Sequence, residues 1–159
     1  MQIIKDQHII DNEWQHCDET TELPSGKVTV PCSRWMEQRE ALISRGNIGL
    51  RLKATDSVDA IKDELVHFGC IAIEFAKFND GRGFTQARLL RERYGYNGEI
   101  RAIGVFLQDQ LYYMTRCGFN AFEFSAEQNL EKALIAFSAY TVTSQPDVFK
   151  NQEGIGPWR

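Results

Sequence analysis

From Lys27 to Tyr140 the chain alternates short apolar strand patterns with amphipathic helical ones, and no other feature restricts the fold as much. Residues 27–30 read as a strand, and Ser33 is placed to cap a helix that runs to about Arg45, where Gly46-Asn47 ends it. Residues 48–52 form the next strand pattern. Ser57 is placed to cap a helix through His67, with Val58, Ile61, Leu65 and Phe68 at helical spacing. Strands over 70–76, 100–105 and 121–124 follow, with helices over 84–94, 107–116 and 127–140. Repeated strand–helix units with short loops imply parallel strands joined by right-handed crossovers.

The expected fold is therefore α/β, with a mainly parallel sheet built from repeated βα units. The pattern allows an open doubly wound sheet or an arc resembling half of a (βα)8 barrel. Five units do not close a barrel, and the second half is rich in aromatic residues, so a homodimer is expected to supply the missing cover. A single domain should span residues 1–159: a small hairpin and polar excursion anchored by Trp14 over 1–26, the βα core over 27–143, and an irregular tail over 144–159.

A net charge of -4 argues against nucleic acid as a partner, because phosphate-backbone binding needs a basic excess. No apolar run reaches the ~20 residues of a membrane span, and no signal-peptide pattern opens the sequence, so no membrane contact and a cytoplasmic location are expected. Cys17, Cys32, Cys70 and Cys117 form no C-x-x-C pair, and His8, His16 and His67 are dispersed. Four reduced thiols and no metal site follow from that spacing.

The candidate site is the turn after the 70–76 strand. Asp80, Gly81, Arg82, Gly83 and Thr85 lie where a strand gives way to a helix, and Arg88 and Arg91 continue along it. Ligands of βα folds bind at the carboxyl ends of strands, and a glycine-rich turn leaves backbone N–H groups free for an anion. Gly81 and Gly83 would let the backbone approach a small oxyanion, Arg82 would supply a forked donor and Thr85 a hydroxyl. Arg88 and Arg91 would join only by turning back toward that surface. The plainer reading makes the turn a packing device and Arg88–Glu92 an exposed i,i+4 pair. A third glycine and a P-loop lysine are both missing, so no motif supports a nucleotide cofactor, and the cofactor stays unassigned.

Cys32 precedes a helix start beside Arg34, an environment that would lower a thiol pKa, and is the candidate reactive thiol. Glu74 interrupts an apolar strand. A structural ion pair with Lys53 or Arg101 is expected there, whereas in a barrel-like arc the carboxylate would face the mouth as an acid or base.

Asp80-Gly81-Arg82-Gly83, Ala87-Arg88-Leu89-Leu90-Arg91, Arg93-Tyr94-Gly95, Gly98-Glu99-Ile100-Arg101-Ala102, Asp109-Gln110-Leu111 and Arg116-Cys117-Gly118-Phe119 resemble a bacterial domain-of-unknown-function family. Ile4-Lys5-Asp6, Val30-Pro31 and Arg34-Trp35 look like its N-terminal features. Members are encoded beside assimilatory sulfite reductase genes and carry, from that neighbourhood, the label of an oxidoreductase of sulfite reduction. The chain departs from the family's Gly-Asp-Val-Leu-Arg-Asp-Gln at Val105 and Gln108, losing one acid and one arginine. The resemblance implies an accessory protein of sulfur assimilation, with sulfite reductase components as partners, or else an oxidoreductase with its site at the strand ends near Arg82. No siroheme or cluster ligand set is visible, which favours the accessory role.

Overall fold

The structure, a computed structural model, describes residues 1–77, 80–106, 108–124 and 129–143. The expected tail and the expected helix starts at Leu107 and Glu127 lie outside them. Eight strands form one sheet: β1 (Gln2–Lys5), β2 (His8–Asp11), β3 (Trp14–His16), β4 (Lys27–Pro31), β5 (Ile48–Leu52), β6 (Cys70–Phe75), β7 (Glu99–Gly104) and β8 (Ala121–Phe124). Their spatial order is β2-β1-β8-β7-β6-β5-β4-β3.

The four strands anticipated at the centre are parallel, from β5 through β8, and β4 and β3 extend the parallel set. The sheet as a whole is mixed, which corrects the expectation of a mainly parallel one. The N-terminal hairpin is the cause: it docks on the far side of β8, so β1 runs antiparallel to both β8 and β2. Asp6 and Gln7, both with positive φ (50° and 65°), make its two-residue turn, whose twist suits a hairpin. The polar excursion also holds a short strand, β3, at the opposite edge.

Helices fill the crossovers. Helix α1 (Cys32–Arg45) follows β4, and a 3-10 helix (Asp59–His67) follows β5. Helix α2 (Arg82–Arg88) runs on into a π turn (Leu89–Arg93), α3 (Leu111–Cys117) precedes β8, and α4 (Leu130–Thr143) follows it. Neither serine caps as expected. Pro31 occupies the α1 N-cap without a side-chain bond while Ser33 Oγ donates to Glu19 Oε2 at 3.2 Å, and Val58 rather than Ser57 is the N-cap of the 3-10 helix. No helix among the described residues is long and apolar enough to cross a membrane.

Every one of these helices contributes to a single apolar cluster, with Trp35, Leu42, Ile61, Ala87, Leu90, Leu111, Met114 and Phe137 packed on Val30, Leu50, Ile71, Ile73, Ile100 and Phe122. The strand positions between those residues face the other way, and they carry Thr29, Arg51, Glu74, Arg101 and Glu123. Helices thus cover one side and charge lines the other. Five inter-strand steps separate β3 from β8, about 24 Å if the sheet were flat. Yet His16 Nε2 on β3 lies 3.0 Å from Glu123 Oε1 on β8. The sheet is therefore curled into a half-barrel whose concave side is polar.

Candidate functional site

Past the end of β6 the chain turns into α2, which faces the loop after β5. A groove between them is lined by Asp56, Ser57, Asp59, Arg82, Thr85 and Gln86. Arg82 does not present an empty fork. Its Nε donates to Asp80 Oδ1 at 3.1 Å, Nη2 to Oδ2 at 2.8 Å, and its backbone N–H to Oδ1 at 3.1 Å. The side-chain bonds from Arg82 and its backbone N–H hold the Asp80 carboxyl down at about 2. Arg82 therefore clasps a carboxylate as it would clasp a bound oxyanion, at a side chain that is 61% exposed.

The other candidate residues divide. Thr85 faces the groove. Gly81 has an ordinary φ of -80°, and a Cβ there would lie 4.0 Å from Phe84 Cδ2, an ordinary contact. Gly83 serves packing, because a Cβ there would lie 2.6 Å from Phe75 Cζ. Arg88 lies over the Tyr113 ring at 5.8 Å with Nη1 3.7 Å from Glu92 Oε2. Arg91 is buried, donating from Nε to the Gly118 carbonyl at 2.9 Å and from Nη1 to the Tyr96 and Gly98 carbonyls at 2.7 Å. Neither arginine turns back toward the groove.

The environment of Cys32 is the reverse of the activating one expected. Burial, reinforced by the Asp56 carboxylate beside it, pushes the thiol up to about 12. Burial also raises Cys70 and Cys117, in the latter case despite the opposing charge of Arg88. Iodoacetamide at pH 8 is therefore expected to label Cys32 in the folded protein far more slowly than in urea, as read by intact mass. Rapid native labelling would restore it as a reactive thiol.

A second constellation lies on the concave side. Arg101 Nε donates to Glu99 Oε2 at 2.6 Å, and Nη1 donates to Glu123 Oε1 at 2.8 Å and Asn12 Oδ1 at 2.7 Å. His16 joins Glu123 through Nε2 and Thr29 Oγ1 through Nδ1 at 2.7 Å. The carboxylate only accepts, so Nε2 carries a proton, and in the neutral ring Thr29 donates to Nδ1. Glu74 does form an ion pair, but with Arg51 rather than Lys53 or Arg101: Arg51 Nε donates to Oε1 at 2.7 Å, and Nη1 to the Cys17 carbonyl at 2.8 Å. Burial alone would raise the Glu123 carboxyl, but bonds from His16 and Arg101 outweigh it and hold the group below its ordinary value. The carboxylate–imidazole–hydroxyl chain has the order of a hydrolytic triad, yet Thr29 is 0% exposed and no substrate reaches it. The network binds the two sides of the half-barrel to each other.

A family model described as "Bacterial protein of unknown function (DUF934)" matches residues 49–154, a span that includes the groove and the central strands. The chain has no match among curated proteins or among solved structures.

Proposed function

The chain belongs to this bacterial family, and from that premise we propose that it is an accessory protein of sulfur assimilation, serving sulfite reduction, that holds a small oxyanion between Arg82 and Thr85. The bidentate clasp of Arg82 on Asp80 carries the ligand reading: the arginine is already oriented for a planar or tetrahedral oxyanion at the end of β6. The gene-neighbourhood resemblance supports the pathway. An accessory role is favoured over catalysis because Arg51, Arg101, Glu74, Glu99, Glu123 and His16 answer one another on the concave side. Its partners in this reading are sulfite reductase components and a second copy of the chain. The oxidoreductase reading draws on Glu74, whose side chain remains 34% exposed at the carboxyl end of β6, and a chromophore in the purified protein would favour it.

Sulfate, sulfite and phosphate are expected to raise the melting temperature of the native protein. Arg82→Ala should abolish that shift and leave the ligand-free melting temperature nearly unchanged. Asp80→Asn, which releases the guanidinium, should tighten binding roughly two- to five-fold, the scale of one exposed charge pair. An anion shift that survives Arg82→Ala would place the site elsewhere.

A further inference from the structure

The chain passes from one edge of the sheet to the other without turning back. β1 runs antiparallel to both β8 and β2, so β2 shares the direction of β8 and of the parallel set that ends in β3. Only Asn12 and Glu13 join β2 to β3, and three Cα steps span at most about 11 Å. The two outermost strands of the sheet therefore meet at this link. Among the described residues, no backbone hydrogen bond between β2 and β3 closes the resulting seam. Side chains cross it instead, and they converge on Glu123, with His16 Nε2 at 3.0 Å and Asn12 Nδ2 at 3.4 Å.

Each bank of the seam keeps its own partners. On the β3 side, His16 Nδ1 meets Thr29 Oγ1, and Arg51 holds both the Cys17 carbonyl and Glu74. Trp14 seats that bank on β5, where a Cβ on Gly49 would lie 3.0 Å from Trp14 Cζ3. On the β8 side, Glu123 keeps Arg101, while Arg101 and Lys5 both keep Glu99. The link itself is fastened at Asn12 Oδ1, which accepts from the Trp14 N–H at 2.9 Å and from Arg101 Nη1 at 2.7 Å. Parting His16 from Glu123 thus leaves each charge in this group with a partner, so the opening strands no buried ion. The groups at the break already reach water, His16 being 23% and Glu123 12% exposed. We propose that the half-barrel opens and closes at this seam, with Asn12–Glu13 as the hinge and His16–Glu123 as the clasp. His16 ends β3 and Glu123 is next to last in β8, so the gate stands at the carboxyl ends of the strands. Opening uncovers Thr29 and Arg51 on the concave side, at the end where βα folds hold ligands.

The Arg101 Nε–H, on a side chain 1% exposed, reports the opening through its exchange with solvent, read by nitrogen-15 NMR of the full chain. In the native protein that exchange should depend weakly on urea, whereas backbone amides of the central β6–β7 ladder should exchange through a strongly urea-dependent opening. His16→Ala should speed the Arg101 exchange at least about tenfold, the population shift that losing one bond to a charged group gives. Leu42→Ala, a core change away from the seam, should speed the β6–β7 amides and leave the Arg101 Nε–H rate nearly unchanged. An Arg101 signal that follows the β6–β7 amides in urea dependence and in its response to Leu42→Ala would overturn the gate, because only global unfolding would then reach the concave side. An Arg101 rate indifferent to His16→Ala would overturn it as well, since the clasp would not control the opening. Should His16→Ala fail to fold, the urea dependence of the native protein and the Leu42→Ala comparison still decide.

Discussion

Exchanging Arg101 for leucine is expected to cost about 3–5 kcal/mol of folding stability, read as a lowered urea midpoint at pH 7. Arg101 is 1% exposed and holds two carboxylates, Glu99 at 2.6 Å and Glu123 at 2.8 Å. Leucine fills part of the volume but leaves both acids buried beside an apolar side chain. His16 and Lys5 remain near them, with Lys5 Nζ 3.2 Å from Glu99 Oε1, which keeps the loss within that range. The pH dependence adds a signature. Glu123 is held below its ordinary value of 4.5 in the fold, so its contribution is complete above that pH and is lost as pH falls through the lowered folded value. The gap between native protein and variant should therefore narrow on acidification below about 4.5. A loss under 1 kcal/mol at pH 7 would mean that the concave network does not hold the sheet's curvature.

Arg91→Met should destabilise by about 3 kcal/mol or more, whereas Arg88→Met should change stability by about 0.5 kcal/mol or less. Arg88 ends α2 and Arg91 lies in the π turn that continues it, yet burial separates them. Arg91 closes the carbonyls of Gly118, Tyr96 and Gly98. Burial draws its guanidinium down to about 10, which still leaves it charged at neutral pH and its bonds charge-assisted. Methionine retains much of the stem and leaves those carbonyls without their donor. Neither substitution should weaken sulfate binding, and a loss of anion affinity in a folded Arg91→Met protein would return Arg91 to the site.

The central strands were legible because runs such as Cys70–Phe75 and Ala121–Phe124 are apolar and bounded by turn residues. β3 was not legible, since three residues within a polar stretch carry no periodicity and pair only at an edge. Ser33 and Ser57 misled because a competing acceptor on Glu19 took one and the 3-10 helix began beyond the other. The place of the candidate groove was readable from the strand-to-helix turn at Asp80–Thr85. Its chemistry was not, because Asp80 folds back on Arg82, Gly83 meets Phe75 and the opposing wall comes from residues 54–59. The concave network had a faint signal in Arg51, Arg101 and Glu123, each a charge set into a strand as Glu74 is, but the sequence did not show that His16 would meet them.

The hairpin's position on β8 has a kinetic consequence. Glu123 meets Asn12 and His16 across sequence separations of 111 and 107 residues, and β1 pairs with β8 across a similar span. Contacts this distant are the last to repay the entropy of closing their loops, so they form after the local βα units. During synthesis the β1–β2 hairpin must wait until residues 121–124 emerge, and the β8 edge stays unpaired until the hairpin docks. The hairpin is thus made before the strand it docks on and placed after it, and the interval between is when the nascent chain is most open to mispairing with a neighbour.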